Sequence, residues 1–556
     1  MIDIGHLDYQ RHVFADRLNR FQLSKVKPRL GGATRRVRVT RNHGFELVAS
    51  VLPSFLAISD LNVDLDVGDY DDSLSFADSD AQAEIVWVDF DRYARLDDES
   101  LARWFLSRLG ALRASARGPL LVANDPARSA RARTLNDALA NWSKATPATA
   151  VFDLAAISET LGPLFFDDRR SSLTGTRFSD AACLESARVL GLRLLPAAFL
   201  PRIKAIALDL DNTLYSGVLG EDSASGLVLT QEHRDLQESL CGLAERGVLL
   251  AVVSRNERAD VDELFRIRSD FPLKPRHISS WQVSWGDKSR AIRRAAEELR
   301  IGTDAFLLVD DNLGEIAAVS AELPHVKLLF AGFSPAGTAA ALRHFPALWS
   351  SETTETDAIR AGDLAANAVR DDLAESLSPV EYLKSLDVKL TFALDPRADL
   401  GRLHEICVKT NQFNLALARL SEVQVGEYLE AAEHHVVHVR LADRLADSGS
   451  VAALFARRYG KALVVDELCI SCRAMGRMLE DIIVTEAVAH VAERFGSDSV
   501  RFVHAVGPRN QPARRWLGAY AGFGIGESGG VVDLPWNGDR VERFVKVAPV
   551  RITWME

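Results

Sequence analysis

Cysteine is scarce in this chain, with five residues in 556 (Cys183, Cys241, Cys407, Cys469 and Cys472). So few, and an odd number, exclude a disulfide framework and leave reduced thiols as the expectation. Cys469 and Cys472 have the C-x-x-C spacing, but no second Cys/His pair accompanies them, so no zinc site is expected. Long hydrophobic runs are also missing. No apolar stretch approaches the ~18 residues of a membrane-crossing helix. Met1 to Phe14 carries His6, Asp8, Arg11 and His12 where a signal peptide would have an apolar core. A cytoplasmic protein with no membrane partner is expected. Basic charge is not in excess either: 66 Lys and Arg face 77 Asp and Glu, a net of −11. That balance argues against nucleic acid or an anionic membrane as the main partner, since both reward clustered cations. There is no fixed-period repeat, which sets solenoids and propellers aside.

What is present is an ordinary globular composition, 47% hydrophobic, in a chain long enough for three or four domains of ~150 residues. From Ala83 to about Leu200, short apolar runs (Ala83 to Val88, Pro119 to Ala123, Ala148 to Leu154) alternate with helical-period stretches (Leu101 to Ala114, Ser129 to Trp142). Strands alternating with helices predict an open α/β sheet. The acidic stretch Asp60 to Asp80 reads as an exposed connection, and Pro196 and Pro201 bracket a junction. The alternation then repeats with denser motifs. The polar stretch Ser350 to Ser378 reads as a helical linker. The expected division is an α/β domain over 1–195, a second over 202–348, a linker over 349–378 and an α+β domain over 379–556.

The middle segment carries the densest chemistry. The apolar run from Ile203 ends in Asp209-Leu-Asp211-Asn-Thr213. Period-2 geometry points Asp209 and Asp211 the same way at the carboxyl edge of a sheet, where open α/β folds place their ligands. Two carboxylates there suit a hard cation such as Mg2+, and can divide the work of nucleophile and general acid/base. A second strand, Val248 to Val253, ends in Ser254-Arg255-Asn256, which offers a hydroxyl and backbone donors for phosphoryl oxygens. Lys288, just before a helical pattern, offers a positive charge for a developing phosphorane. A third strand, Ala305 to Val309, delivers Asp310, Asp311 and Asn312, a second acidic pair able to complete a metal shell.

That order resembles the haloacid dehalogenase (HAD) superfamily of phosphotransferases, matched here at Asp209/Asp211/Thr213, Ser254, Lys288 and Asp310/Asp311. The resemblance implies a Rossmann-like core in which Asp209 attacks phosphorus and Asp211 protonates the leaving group and activates water. It also implies Mg2+ held by Asp209, the Asp211 carbonyl and Asp310. About 40 residues separate Thr213 from Ser254, and about 33 separate Ser254 from Lys288. Neither gap has room for a large cap domain, so an open site is expected, suited to a bulky substrate or to a partner domain acting as lid.

The longer stretches Asp209 to Asp222, Arg246 to Asn256, Val309 to Asn312 with Glu315, and Lys409-Thr-Asn-Gln-Phe-Asn-Leu415 resemble the FkbH-like family, subfamily IIIC of that superfamily. This resemblance implies that the glyceryl unit of 1,3-bisphosphoglycerate, a phosphorylated glycerate-type substrate, is dephosphorylated and loaded as a thioester on an acyl carrier protein through its phosphopantetheine arm in polyketide-type biosynthesis. Two departures stand out: Tyr215-Ser216-Gly217 where many members have Trp-Gly-Gly, and Leu210 where some have Cys. A plain Mg2+-dependent phosphatase of a small metabolite, and a non-catalytic scaffold that binds a carrier protein, remain the alternatives.

Residues 379–556 resemble the GCN5-related acyltransferase (GNAT) fold, whose R/Q-x-x-G-x-G/A turn at a helix N-terminus cradles a pyrophosphate. Arg473 and Gly476 fit that pattern and Met478 does not, which implies a cleft for a pantetheine arm in place of free coenzyme A. Cys472 is either an acyl-accepting thiol, activated beside Arg473 and a helix N-terminus, or a small core residue. Lys409, Asn411, Gln412 and Asn414 form a polar cluster expected to bind substrate or meet another domain. Arg457, Arg458, Arg473, Arg477, Arg509, Arg514 and Arg515 are the expected docking patch for an acidic carrier. Residues 1–195 resemble an SGNH-hydrolase-like domain, matched at Asn124 and at the loop Phe165 to Arg170. No histidine lies between His43 and His233, so hydrolase activity is not expected there.

Overall fold

The computed structural model describes residues 6–26, 33–76, 79–348, 366, 369–370, 373–374, 376–410, 412–475, 477–507 and 509–555. The described strands fall into three sheets. No described helix is long and apolar enough to cross a membrane.

The first sheet is parallel, in the order β2-β1-β3-β4-β5, from β1 (Arg35–Arg41), β2 (Val63–Tyr70), β3 (Ala83–Trp87), β4 (Leu120–Ala123) and β5 (Thr149–Phe152). β3 and β4 are buried along their whole length, as strands covered on both faces must be. The helices α2 (Asp98–Ser115) and α3 (Ala130–Ala145) start where Asp97 and Ser129 accept the backbone N–H groups of Ser100 and Ala132. β2 corrects the reading of Asp60 to Asp80 as a connection. Its Asp64, Asp66 and Asp69 mask a strand because they sit on a partly exposed edge, where Asp66 pairs with Arg38 of β1 at 3.0 Å. Charged side chains are a common guard for such edges.

The second sheet is also parallel, in the order β10-β9-β6-β7-β8, from β6 (Ala205–Leu208), β7 (Leu249–Ser254), β8 (Ile278–Val283), β9 (Phe306–Asp310) and β10 (Lys327–Phe330). This is a Rossmann-like arrangement, with α4 (Gln231–Glu245), α5 (Arg258–Ile267), α6 (Lys288–Glu298) and α7 (Leu313–Glu322) as connections. No cap domain interrupts it among the described residues.

The expected break at 195–202 is crossed by packing. One hydrophobic cluster runs from Val13 to Leu348, and Phe14 stacks on Phe345 at 6.0 Å between ring centroids. Buried Gln10, on α1 (His6–Val13), donates to the Leu328 carbonyl and accepts from the Phe330 N–H, both at 3.1 Å, so its amide continues the hydrogen bonding of edge strand β10. The linker expected over 349–378 lies largely outside the described residues. Near its end, Arg370 is buried and bonded to Asp443 at 2.9 Å, so that part is docked against the C-terminal sheet.

The third sheet has the order β16-β15-β14-β13-β12-β11-β17 and is mostly antiparallel. Its strands are β11 (Lys389–Leu394), β12 (His434–Ala442), β13 (Asp447–Tyr459), β14 (Ala462–Ile470), β15 (Ser499–His504), β16 (Gly530–Pro535) and β17 (Arg551–Met555). Helices α8 (Leu400–Lys409), α9 (Glu480–Phe495) and α10 (Gln511–Ala521) pack on it. β14 and β15 are parallel and pair only from Ala462/Ser499 to Val465/Phe502. Beyond that point residues 413–415 lie between them: Leu415 donates to the Leu468 carbonyl (3.0 Å), Ile470 to Phe413 (2.8 Å) and Ala505 to Leu415 (3.0 Å).

Candidate active site

β6 is four buried apolar residues, and the chain leaves it at Asp209, at the carboxyl edge of the second sheet. The neighbouring strands end beside it, β7 at Ser254 and β9 at Asp310. Ser254 donates to Asp209 Oδ1 at 3.1 Å, and Lys288, the first residue of α6, reaches the same oxygen at 2.8 Å and Asp310 Oδ2 at 2.5 Å. Asp209, Asp310 and Asp311 each present an oxygen within 4.8 Å of the others. Burial raises the Asp209 carboxyl to about 6, partly countered by Lys288, while the Asp310 charge adds to the rise. Burial likewise lifts Asp310 and Asp311. Burial works against the Lys288 charge as well, but the Asp209 and Asp310 carboxylates outweigh it and hold the ammonium protonated. Three carboxylates against one ammonium leave negative charge in excess, on hard oxygen donors that converge. That donor set fits Mg2+.

Asp211 is held differently. Its Oδ1 accepts from the Tyr215 hydroxyl (2.7 Å) and the Leu219 N–H (3.0 Å), and its Oδ2 accepts from Asn256 Nδ2 (3.0 Å). Its carboxylate is thus outside the acidic trio, and only its carbonyl is left to serve as a ligand. The turn that brings Leu219 round uses a left-handed Asn212 (φ 52°) and Gly217 (φ 117°), where a Cβ would come within 2.8 Å of Asp222. Asn256 also donates to Ser254 Oγ at 3.1 Å, which links Asp211 to Asp209 through two side chains. Thr213 is buried, and its Oγ1 has no hydrogen-bond partner among the described residues. Arg255, half exposed at the mouth, pairs with Glu315 at 3.1 Å. Tyr215 was legible only as a departure from a family pattern; its role as a donor to Asp211 depends on a turn that no spacing reveals.

The C-terminal candidates are not here. Lys409, Gln412, Cys472 and Arg473 line a cavity with Lys204, Arg300 and Ala305, which precede β6 and β9 at the amino edge of the second sheet. That is a strand length, roughly 16 Å, from the aspartates. The C-terminal unit also meets this edge through Lys204 Nζ to the Lys409 carbonyl (3.3 Å), Arg300 to the Met475 carbonyl (3.3 Å) and an ion pair between Arg509 and Asp304. It is therefore not a lid over Asp209. Of the heptapeptide's polar residues, Lys409 is bonded to Glu405 at 2.7 Å, and Asn414 is fully buried, donating to the Cys407 carbonyl and accepting from Leu417 N–H. Asn411 lies outside the described residues.

The expected pantetheine cleft is filled by the chain itself, since residues 413–415 occupy the space between β14 and β15. Asn510 Nδ2 clamps them through the Asn414, Leu415 and Ala505 carbonyls at 3.0 to 3.3 Å. Nor is Cys472 at a helix N-terminus. A turn follows β14, and α9 begins only at Glu480. Arg473 spends its guanidinium on the Ser448 and Ser450 carbonyls at 2.6 and 2.8 Å. Of the arginines expected to form a docking patch, Arg477 is buried against Asp443, Arg457 pairs with Asp466, and Arg509 pairs with Asp304. In the first sheet, Asn124 donates to Asp153 and accepts from the Ala155 N–H, a strand-end cap.

No family model matches the chain, and no curated relative matches it. Among solved structures, it is similar to the N-terminal part of the protein BF1531 from Bacteroides fragilis, which contains a phosphatase domain and is complexed with Mg. The identity is 21% over 62% of this chain and 99% of that one, with a TM-score of 0.46. Tetrahymena GCN5 is similar at 10% identity over 26% of this chain and 96% of that one, with a TM-score of 0.18. Both TM-scores are below 0.5, so the functional assignment rests on the chain's own residues.

Proposed function

We propose that the chain is a Mg2+-dependent HAD-type phosphohydrolase or phosphotransferase that works through an aspartyl-phosphate on Asp209. The observation that carries this is the convergence on one Asp209 oxygen of Ser254 and Lys288, within a trio of carboxylates at a sheet's carboxyl edge. Asp209 attacks phosphorus, and the bond from phosphorus to the leaving oxygen breaks. Asp211, oriented by Tyr215, Leu219 and Asn256, supplies the proton to that oxygen and then takes one from the water that cleaves the acyl phosphate. Lys288 and Ser254 hold the nucleophile in place, and Lys288 faces the charge that grows on the phosphoryl oxygens. Asp209, Asp310, Asp311 and the Asp211 carbonyl would hold Mg2+, which when bound supplies further positive charge to the transferring group.

The substrate class comes from the FkbH-like resemblance: a phosphorylated glycerate such as 1,3-bisphosphoglycerate, with the glyceryl unit passed to an acyl carrier protein. Because Cys472 lies at the opposite sheet edge, a relay through it is no part of this reading. The thiolate of the phosphopantetheine arm would attack the C1 carbonyl directly, so that the bond from C1 to its phosphate oxygen breaks and that phosphate leaves, while Asp209 removes the 3-phosphate. Incubation of enzyme, Mg2+, 1,3-bisphosphoglycerate and holo carrier protein, followed by intact-protein mass spectrometry and phosphate assay, tests both halves. Phosphate release with a glyceryl mass gain on the carrier supports the whole reading. Release without a gain reduces it to a phosphatase of a small metabolite, and no release from any phosphomonoester or acyl phosphate overturns it.

A further inference from the structure

We propose that Trp285 is the wall on which the pantetheine arm of the carrier lies at the mouth of the site. The inference rests on the transfer half of the reading above and names the residue that receives its second substrate. Of the exposed large apolar side chains in the second sheet's unit, Trp285, Leu313 and Phe333 stand just after β8, β9 and β10, at the carboxyl edge. Trp285 is the most exposed of the three, at 65%. Trp281, on β8 itself, is covered: Phe265 meets its ring edge-on at 5.2 Å, and the Arg258 guanidinium lies over it at 5.1 Å. Among the described residues no ring or cation covers Trp285 in this way.

Exposed as it is, the indole is fixed in place. Its Nε1 donates to Glu257 Oε1 at 2.6 Å. Glu257 comes three residues after Ser254 and Trp285 three before Lys288, and the Ser284 N–H donates to the Ser254 carbonyl at 3.1 Å. The ring is thus tied across the loops that follow β7 and β8, beside the two residues that hold Asp209. The tie occupies its one polar atom, so what the ring leaves for a ligand is flat and apolar. It also puts the ring on the flank of Asp211, whose Oδ2 accepts from Asn256, the residue before Glu257. A leaving group points to that flank, because Asp211 gives it a proton. Leu313 and Phe333 stand on the other flank, with Asp310 and Asp311.

With the 3-phosphate at Asp209, the carbons of a phosphoglycerate run outward past Asp211, and C1 is the end that the arm has to reach. The glyceryl unit is small and hydroxylated and has no flat apolar face. The arm has such faces in its amide planes and geminal methyl groups, and an indole face is the partner they fit.

Pantetheine with its thiol methylated binds without reacting, so it reads the wall apart from turnover. Its dissociation constant is measured on the full-length protein with Mg2+ by ligand-observed NMR titration. Trp285→Leu, apolar but not flat, is expected to raise that constant about fivefold, the size of one aromatic contact, and Trp285→Phe, which keeps a flat face, to raise it no more than about twofold. An unchanged melting temperature checks folding in both. In the transfer assay Trp285→Leu is expected to raise KM for the holo carrier about fivefold and to change kcat by less than about twofold. Equal affinity in the parent and both variants overturns the proposal, as does an equal loss in the two variants or a parent that does not bind the probe. Affinity lost in the Leu variant and kept in the Phe variant, in a protein that moves no glyceryl unit to the carrier, upholds the wall and overturns the transfer reading instead.

Discussion

Asp209 is asked to be both a buried group and an ionised nucleophile, and the residues around it resolve that conflict. Its carboxyl sits well above its ordinary value of 3.8, at about 6, first because of burial. The folded, metal-free chain therefore holds more protons than the unfolded chain between those two values. The stability that this one carboxyl contributes is fully present below about pH 4 and is lost as pH rises through about 6. Mg2+ competes with those protons, so the melting temperature gained by adding Mg2+ over EDTA is expected to grow from pH 4 to pH 7; a gain independent of pH would place the ion elsewhere. Asp209→Asn keeps the shape and removes the nucleophile, so turnover falls about a thousandfold or more in steady-state phosphate release. Tyr215→Phe removes one of three donors to Asp211, a loss of about 1 kcal/mol. It is expected to lower kcat about fivefold while leaving KM near its original value, because the hydroxyl touches Asp211 and not the substrate. A KM effect with kcat unchanged would move Tyr215 from positioning to binding.

Sequence legibility varied with how local the cause was. β6, β7 and β9 were legible as apolar runs that end in chemistry, because a strand buried on both faces shows its pattern without help from neighbours. β2 was not, since its Asp66 is explained only by Arg36 and Arg38 on β1. The segment 409–415 was legible as unusual, expected to bind substrate or to meet another domain, and its Lys409 carbonyl does meet Lys204 of the second sheet's unit. Its Asn414 and Phe413 serve a gap between β14 and β15 that exists only once the sheet has formed. Two buried clamps hold that segment: Asn510, and Glu467, whose carboxylate accepts from the Ala416, Ala418 and Leu468 N–H groups at 2.7 to 3.0 Å. Asn510→Ala removes the donor to the Asn414 and Ala505 carbonyls, while Leu415 keeps its bond from the Ala505 N–H, and is expected to cost about 2 to 3 kcal/mol, read as a lower denaturant midpoint. The amides of Leu415, Ile470 and Ala505 should exchange faster in that variant while those of β12 do not; unchanged exchange would show that the insert stands without its clamp.

At the scale of the molecule, the placement of the units constrains what the whole chain can do. The first two sheets share one hydrophobic cluster, stitched by Phe14 on Phe345 and by Gln10 on β10. The C-terminal unit reaches both of them: Ala148 donates to Glu422, and Arg300 and Asp304 meet Met475 and Arg509. The aspartates are thus left open at one edge of the second sheet, while the edge opposite is enclosed by the third. A shared core also means that the Pro196 to Pro201 stretch is no hinge between independent bodies. Limited proteolysis should release no stable fragment that starts near residue 200. Phe345→Ala, which leaves a cavity on both sides of that stretch, should cost about 3 to 5 kcal/mol. It should lower the melting of 1–348 as a single transition, followed by calorimetry with tryptophan fluorescence as a second probe. Two resolved transitions, with the Trp87 signal of the first sheet unaffected by the substitution, would show that the two sheets fold apart despite their contact.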